Sequence, residues 1–251
     1  MPKRPDKAPR PIGLTPLGPL YLSFVLIPLI ALTISSLFMT RSCHAQETPL
    51  SRPAAAAARV RPALERDLRE KGLHFGDPVF IRIFKEEREL ELWIRKRSDG
   101  RYKKFRTWPV AKMSGKLGPK LAEGDLQAPE GFYFVPRGRM KPDSTYHLAF
   151  NLGYPNAYDR AHGRSGSLIM VHGNRVSIGC FAMTDPKIEE IYTLCDAALT
   201  NGQPFFRVHV FPFRMTGEKM TAAKSHKWHD FWLNLKQGYD WFETRRVPPD
   251  T

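Results

Sequence analysis

"IMVHGNRVSIGC", Ile169 to Cys180, decides how this chain is read. Ser167–His172 is an apolar run that suits a strand, with His172 at its end. Gly173-Asn174 has strong turn chemistry. Arg175–Ile178 is then expected to run back antiparallel, so that Cys180 returns beside His172 as in a hairpin. A histidine within hydrogen-bond reach of a thiol lowers its pKa and makes a thiolate nucleophile. Gly179 lets the backbone approach a substrate, and the amides of Gly179 and Cys180 are placed to meet a developing oxyanion. Ser177 is expected to hydrogen-bond within the hairpin, in a structural role. A His…Cys pair alone is a weak signal, because a lone histidine is more often structural. Metal is not expected: His162, His172 and Cys180 are spaced by ten and eight, which matches no common zinc pattern. No cofactor is expected either.

Strands surround this block. Pro78–Phe84 and Leu90–Arg97 alternate as a hairpin, and Arg101–Lys112, Gly131–Pro136, Thr145–Leu152 and Pro204–Phe213 read as further strands. Helices are expected over Pro62–Lys71, over Pro186–Leu199 behind a Thr184-Asp185-Pro186 cap, and in the tail, where Trp228, Phe231, Trp232 and Leu235 form an apolar stripe for packing on the core. The resulting fold is mostly β, a single domain over residues 76–215. A helix follows Cys180, and residues 216–251 form a helical C-terminal extension. Residues 46–75 are expected to be a linker with a short helix, since "SRPAAAAARV" (Ser51–Val60) reads as an Ala/Pro tether.

The first 45 residues read differently. Lys3, Arg4, Lys7 and Arg10 precede a stretch without charge from Pro11 to Thr40. Leu17–Met39 is its apolar part. This is a signal peptide, cut after Ala45, or a retained signal anchor. Either sends the remainder across an inner membrane into the periplasm. The net charge is +14, and +10 for residues 46–251. In a cytosolic protein that balance would suggest nucleic acid; in an exported one it suits an acidic polymer or membrane surface, and nucleic acid is not expected. Of the three cysteines, Cys195 sits on an apolar helical face with Ile188, Ile191, Tyr192 and Leu199, which suits a small core residue. A disulfide between Cys180 and Cys195 is open on sequence alone.

"IMVHGNRVSIGCFAMTD" (Ile169–Asp185) resembles the active-site block of the YkuD-type L,D-transpeptidase family, and "APEGFYFVP" (Ala128–Pro136) resembles that family's strand entry. "FKEERELELWI", "GPKLAEGDLQAPEGFY", "KPDSTYHLAFNLGYPNAYDRAHG", "FPFRMT" and "HDFWLNLKQGYDWFE" are similar to one branch, the YafK-like murein proteins. The resemblance implies a YkuD-like catalytic domain of β-sandwich or barrel-like sheets. It implies Cys180 as nucleophile, His172 as general base, the Gly173 carbonyl as the group orienting the imidazole, and Gly179 and Cys180 as oxyanion amides. It implies thioester chemistry on peptidoglycan stem peptides, resolved by an amine or, in the YafK-like branch, by water, with release of a wall-linked outer-membrane lipoprotein. The sequence departs from the family where the usual His before Gly-Cys is Ile178, and where Phe181-Ala182-Met183 follows the cysteine. A non-catalytic wall-binding module, held to the inner membrane by the leader, is the alternative from a different class. Asn174, Lys120, Arg160 and His162 are candidate substrate contacts. Arg160 either holds a stem carboxylate or pairs with Asp159 to staple its loop.

Overall fold

A computed structural model describes residues 49–250; the leader expected over residues 1–45 lies outside them. The alanine run is not a tether. Residues Arg52–Glu70 form one helix, α1, which begins with Pro53 in its first turn and continues through Pro62. Alanine is the best helix former, and Ala56, Leu64 and Leu68 fall on one face and are buried. An interior proline costs about 3 kcal/mol, so that packing must exceed the cost. Composition without register hid the apolar face.

Strands β1 (Val79–Phe84), β2 (Glu89–Arg95), β3 (Tyr102–Pro109) and β4 (Gly131–Pro136) follow, then the short β5 (Met140–Lys141) and β6 (Ala149–Asn151). Next come α2 (Ala157–Ala161), β7 (Met170–His172), β8 (Phe181–Ala182), α3 (Asp185–Thr200), β9 (Phe205–Phe211), α4 (Gly217–Ala222) and α5 (His229–Arg245). The first sheet has the order β3-β2-β1-β9-β4, and the second β5-β6-β7-β8. β1 and β2 pair antiparallel from Val79↔Ile94 to Phe84↔Glu89, the expected hairpin. β1 pairs parallel with β9, and all six of its residues are buried because both faces of the sheet are covered.

The period of two sorts the strand residues. Phe206, Val208 and Val210 of β9 enter the larger core with Leu64 and Leu68 of α1 and Ile188, Ile191 and Cys195 of α3. Phe211, from the opposite face, packs beneath α5 with Phe84, Phe231, Trp232 and Leu235. The C-terminal helix thus covers one face of the sheet. Arg82 is buried on that face, held by Glu91 (2.8 Å) and Glu243 (2.7 Å).

The second sheet is shorter than the sequence suggests. His147 (φ +69°) ends extended backbone before β6, and Gly166 (φ +137°) and Leu168 (φ +54°) bend the chain before β7. β7 and β8 pair parallel, with Val171↔Phe181 and His172↔Ala182, rather than as an antiparallel hairpin. Residues 173–180 instead loop out and come back beside the start of β7.

Candidate active site

The parallel register sets the geometry. In this register Cys180 falls two positions before Ala182, the partner of His172, so alternation puts the two residues on the same face. Met170 N–H donates to Cys180 Sγ at 3.5 Å, and Sγ lies 3.6 Å from Leu168 O. No hydrogen bond joins the thiol to the imidazole. His172 Nδ1 is 2.6 Å from Gly173 O. A carbonyl only accepts, so the proton is on Nδ1 and Nε2 carries the free lone pair. The ring lies against Tyr146, with centroids 4.8 Å apart.

Gly173 has little room for a side chain. A Cβ there would lie 2.5 Å from Asp185 Oδ1 and 2.7 Å from Tyr146 O. Its N–H is shared by Tyr146 O and Leu148 O, both at 3.1 Å. Asn174 turns the loop at φ +60°; its N–H donates to Asp185 Oδ1 (2.7 Å) and its carbonyl accepts from Thr184 N–H (3.0 Å). Ser177 Oγ donates to Cys180 O (2.7 Å) and accepts from Gly179 N–H (3.3 Å). Gly179 sits at φ +125°, a conformation that favours glycine. Its amide is therefore tied to Ser177, and of the two amides expected to meet an oxyanion only that of Cys180 is uncommitted to a side chain.

The charge state differs from the sequence expectation. Burial pushes the Cys180 thiol above its ordinary pKa, and the Met170 N–H and the Lys120 charge offset this only in part. Burial lowers the His172 pKa, against the opposing pull of the Gly173 hydrogen bond. Both shifts favour the uncharged forms, a thiol and a neutral imidazole. A histidine that burial keeps uncharged supplies no cation to stabilise a thiolate. Lys120 is the cation within electrostatic range. It is buried, donates to Ala122 O (2.7 Å) and pairs with Asp125. Asp125 in turn accepts from Leu121, Ala122 and Gln127 N–H, fixing the segment whose Gln127 carbonyl lies beside Gly179.

Exposed apolar side chains form a collar on the Cys180 loop and on the two segments that run beside it. Ile178 is 76% exposed and Leu168 63%, with Leu126 and Val176 also exposed. Leu126 and Leu168 adopt φ of +53° and +54°, a backbone strain of about 1–3 kcal/mol each for a branched residue.

The other candidates lie apart from the thiol. Arg160 lines a separate cavity and donates to Pro155 O; it does not pair with Asp159. Asp159 is buried, pairs with Arg164 (2.8 Å) and accepts from Tyr133 OH (3.2 Å). His162 stacks on Tyr158 at 4.0 Å and bonds its carbonyl through Nδ1. Cys195 is fully buried, and both it and Cys180 are free thiols, so the disulfide is absent. Tyr146, Asp125, Gln127 and Asp185 support the site and were not singled out from sequence. Asp185 carried a signal as a helix-cap residue, but its bond to Asn174 depends on tertiary placement.

His172 at the end of β7 and Cys180 just before β8 are thus brought together within the second sheet. The family model described as the YkuD L,D-transpeptidase catalytic domain matches residues 78–220, and the chain belongs to this family. "Putative L,D-transpeptidase YafK" of Escherichia coli (strain K12) is 50% identical over 174 residues, covering 69% of this chain and 70% of that protein. Its counterpart in Escherichia coli O157:H7 matches equally. Among solved structures, the helical cell shape determining protein Pgp2 from Campylobacter jejuni aligns with a TM-score of 0.44 at 23% identity, over 70% of this chain and 66% of that one. Bd1075 of Bdellovibrio bacteriovorus aligns with a TM-score of 0.37 at 20% identity, over 68% and 56%.

Proposed function

We propose that the chain is a periplasmic cysteine acyl-transfer enzyme acting on peptidoglycan stem peptides. The observation that carries this is the Nδ1–H···O=C bond from His172 to Gly173, which leaves Nε2 as a base on the face that holds Cys180. In the proposed reaction Nε2 takes the Sγ proton as sulfur attacks a stem-peptide carbonyl. The Cys180 N–H meets the oxyanion. Collapse breaks the carbonyl–nitrogen bond, the departing amine takes the proton from the imidazolium, and a thioester remains on Cys180. An incoming amine gives a new cross-link; water gives hydrolysis. Because both shifts favour the uncharged forms, proton transfer accompanies attack instead of preceding it.

A second reading, an amidase that cleaves the amide between diaminopimelate and a lipoprotein, is favoured by the apolar collar of Leu126, Leu168, Val176 and Ile178. Stem peptides are rich in carboxylates, and such a collar suits a polypeptide leaving group better. A non-catalytic wall-binding module is disfavoured, because binding alone has no use for an oriented base beside a thiol. Purified sacculi incubated with the protein and analysed by mass spectrometry test all three. New cross-links support transpeptidation, and released polypeptide supports the amidase. No change beyond that given by Cys180→Ala refutes both.

A further inference from the structure

The cavity between the outer face of the first sheet and α5 shares no residue with the Cys180 loop. It holds about 660 Å³, ample for a ligand of several rings. The edge strand β4 forms one wall and α5 the other. Gly238 lets the helix close down at one end, where a Cβ would lie 2.6 Å from the Phe132 ring.

Its lining has two chemistries. Phe134, Phe205 and Trp241 line the cavity with aromatic rings that keep solvent exposure. Trp241 is 42% exposed, with the Arg245 guanidinium 3.9 Å from its ring centroid. Arg139, Arg160 and Arg207 add three guanidinium groups. Arg139 and Arg160 donate to backbone carbonyls of Phe134 and Pro155, and neither pairs with a carboxylate among the described residues. Each keeps free N–H donors. Arg207 is paired with Asp250, the one acidic side chain lining the cavity. Asp250 is 99% exposed, so that pair is weak and its carboxylate is replaceable. The exposed amides of Asn234 and Gln237 stand beside these groups without hydrogen bonds of their own among the described residues.

We propose that this cavity is a second binding site, which holds a saccharide–peptide strand bearing free carboxylates while Cys180 acts on a neighbouring peptide. Aromatic faces take the apolar side of sugar rings, the amides take hydroxyls, and the arginines take carboxylates in place of Asp250. The ligand class rests on the wall-substrate reading above; the site itself rests on the lining. It also gives Arg160, away from the thiol, a carboxylate-binding role.

The test uses the Cys180→Ala protein, a soluble disaccharide–tetrapeptide, and calorimetric titration. Trp241→Ala and Arg160→Ala, each added to that background, should weaken binding about tenfold, the equivalent of about 1.4 kcal/mol for an aromatic or arginine anchor. The tetrapeptide without sugar should bind more weakly than the intact fragment and lose its sensitivity to Trp241→Ala. Melting temperatures report that the fold is intact. Unchanged affinity in both variants overturns the proposal, as does binding to vesicles of anionic lipid with none to the fragment. If the wild type leaves sacculi unaltered but the fragment binds in a Trp241-dependent way, the catalytic reading falls and the site stands. If sacculi are processed but both substitutions are silent, the site falls alone.

Discussion

Gly173→Ala separates the orienting role of this residue from its packing role. The added methyl would lie 2.5 Å from Asp185 Oδ1 and 2.7 Å from the Tyr146 carbonyl, one of them backbone, so the β7 end must move. Overpacking of this kind costs about 1–3 kcal/mol. For a domain of this size that is a fall of about 2–12 °C in melting temperature. The same movement displaces Gly173 O, which now sits 2.6 Å from His172 Nδ1. A misplaced base lowers turnover by about 10²-fold or more. The pH profile carries the sharper signature. The Gly173 bond raises the His172 pKa against burial, so losing it lowers that pKa further. The base then stays deprotonated to lower pH, and the acidic limb of kcat/KM shifts to lower pH. The assay is kcat/KM against pH on a defined stem-peptide substrate, with calorimetry alongside. A reduced melting temperature with wild-type turnover and an unmoved acidic limb would refute the orienting role.

Iodoacetamide should modify Cys180 and spare Cys195 in the folded protein, more slowly at pH 7 than it modifies a free thiol, with the rate rising as pH climbs through the raised Cys180 pKa; peptide mapping over a pH series checks this, and fast labelling near neutrality would show a pre-formed thiolate. Lys120→Met removes the charge that pulls the thiol downward and leaves Asp125 without its partner, so Cys180 alkylation should slow further and stability should fall; an unchanged alkylation profile would remove Lys120 from the site. For Glu91, burial works to raise the pKa, but Arg82, Arg214 and the Trp93 N–H outweigh it and hold the carboxylate at about 2. Against an unfolded value near 4.5 that depression contributes about 3 kcal/mol, fully present above pH 4.5 and lost as pH falls toward 2. Glu91→Gln should lower the melting temperature at pH 7 and flatten its dependence between pH 4.5 and 2, and a steep dependence retained in that window would count against Glu91 as its source.

Strand and helix positions in the main sheet were legible because their apolar periods are clean: β1, β2, β4 and β9 lie within stretches that alternate or run apolar between turn residues. The C-terminal helix showed its face through Trp232 and Leu235. The first half of α1 was misread because an alanine run carries no period, and the helix's buried face rests on only Ala56, Leu64 and Leu68. For the candidate site the sequence offers residues but not their geometry. Gly173-Asn174 announces a turn, yet the direction of the returning strand depends on partners distant in sequence: Ala182 N–H bonds Lys112 O, and Met183 N–H bonds His172 O. The thiol's charge state was misjudged for a related reason, since burial is a tertiary property. Arg160 carried the right chemistry for a carboxylate, while its location depended on how α2 sits beside β4.

The parallel return of β8 limits how the loop from Gly173 to Cys180 can change in length. Parallel neighbours are usually joined by a dozen or more residues, commonly with a helix between them, whereas here eight residues, 173–180, suffice. A loop already this short has no slack. Deleting one residue would either break the pairing or shift β8 by one position, and a one-residue slip turns every side chain to the opposite face. Cys180 would then point away from His172 with its sequence neighbourhood almost intact. Insertions are a different matter: Arg175 and Val176 are exposed at the tip, where added residues can bulge outward without moving either strand. Length variation in this loop among relatives should therefore run in one direction, toward longer loops, with the spacing from Ser177 to Cys180 kept.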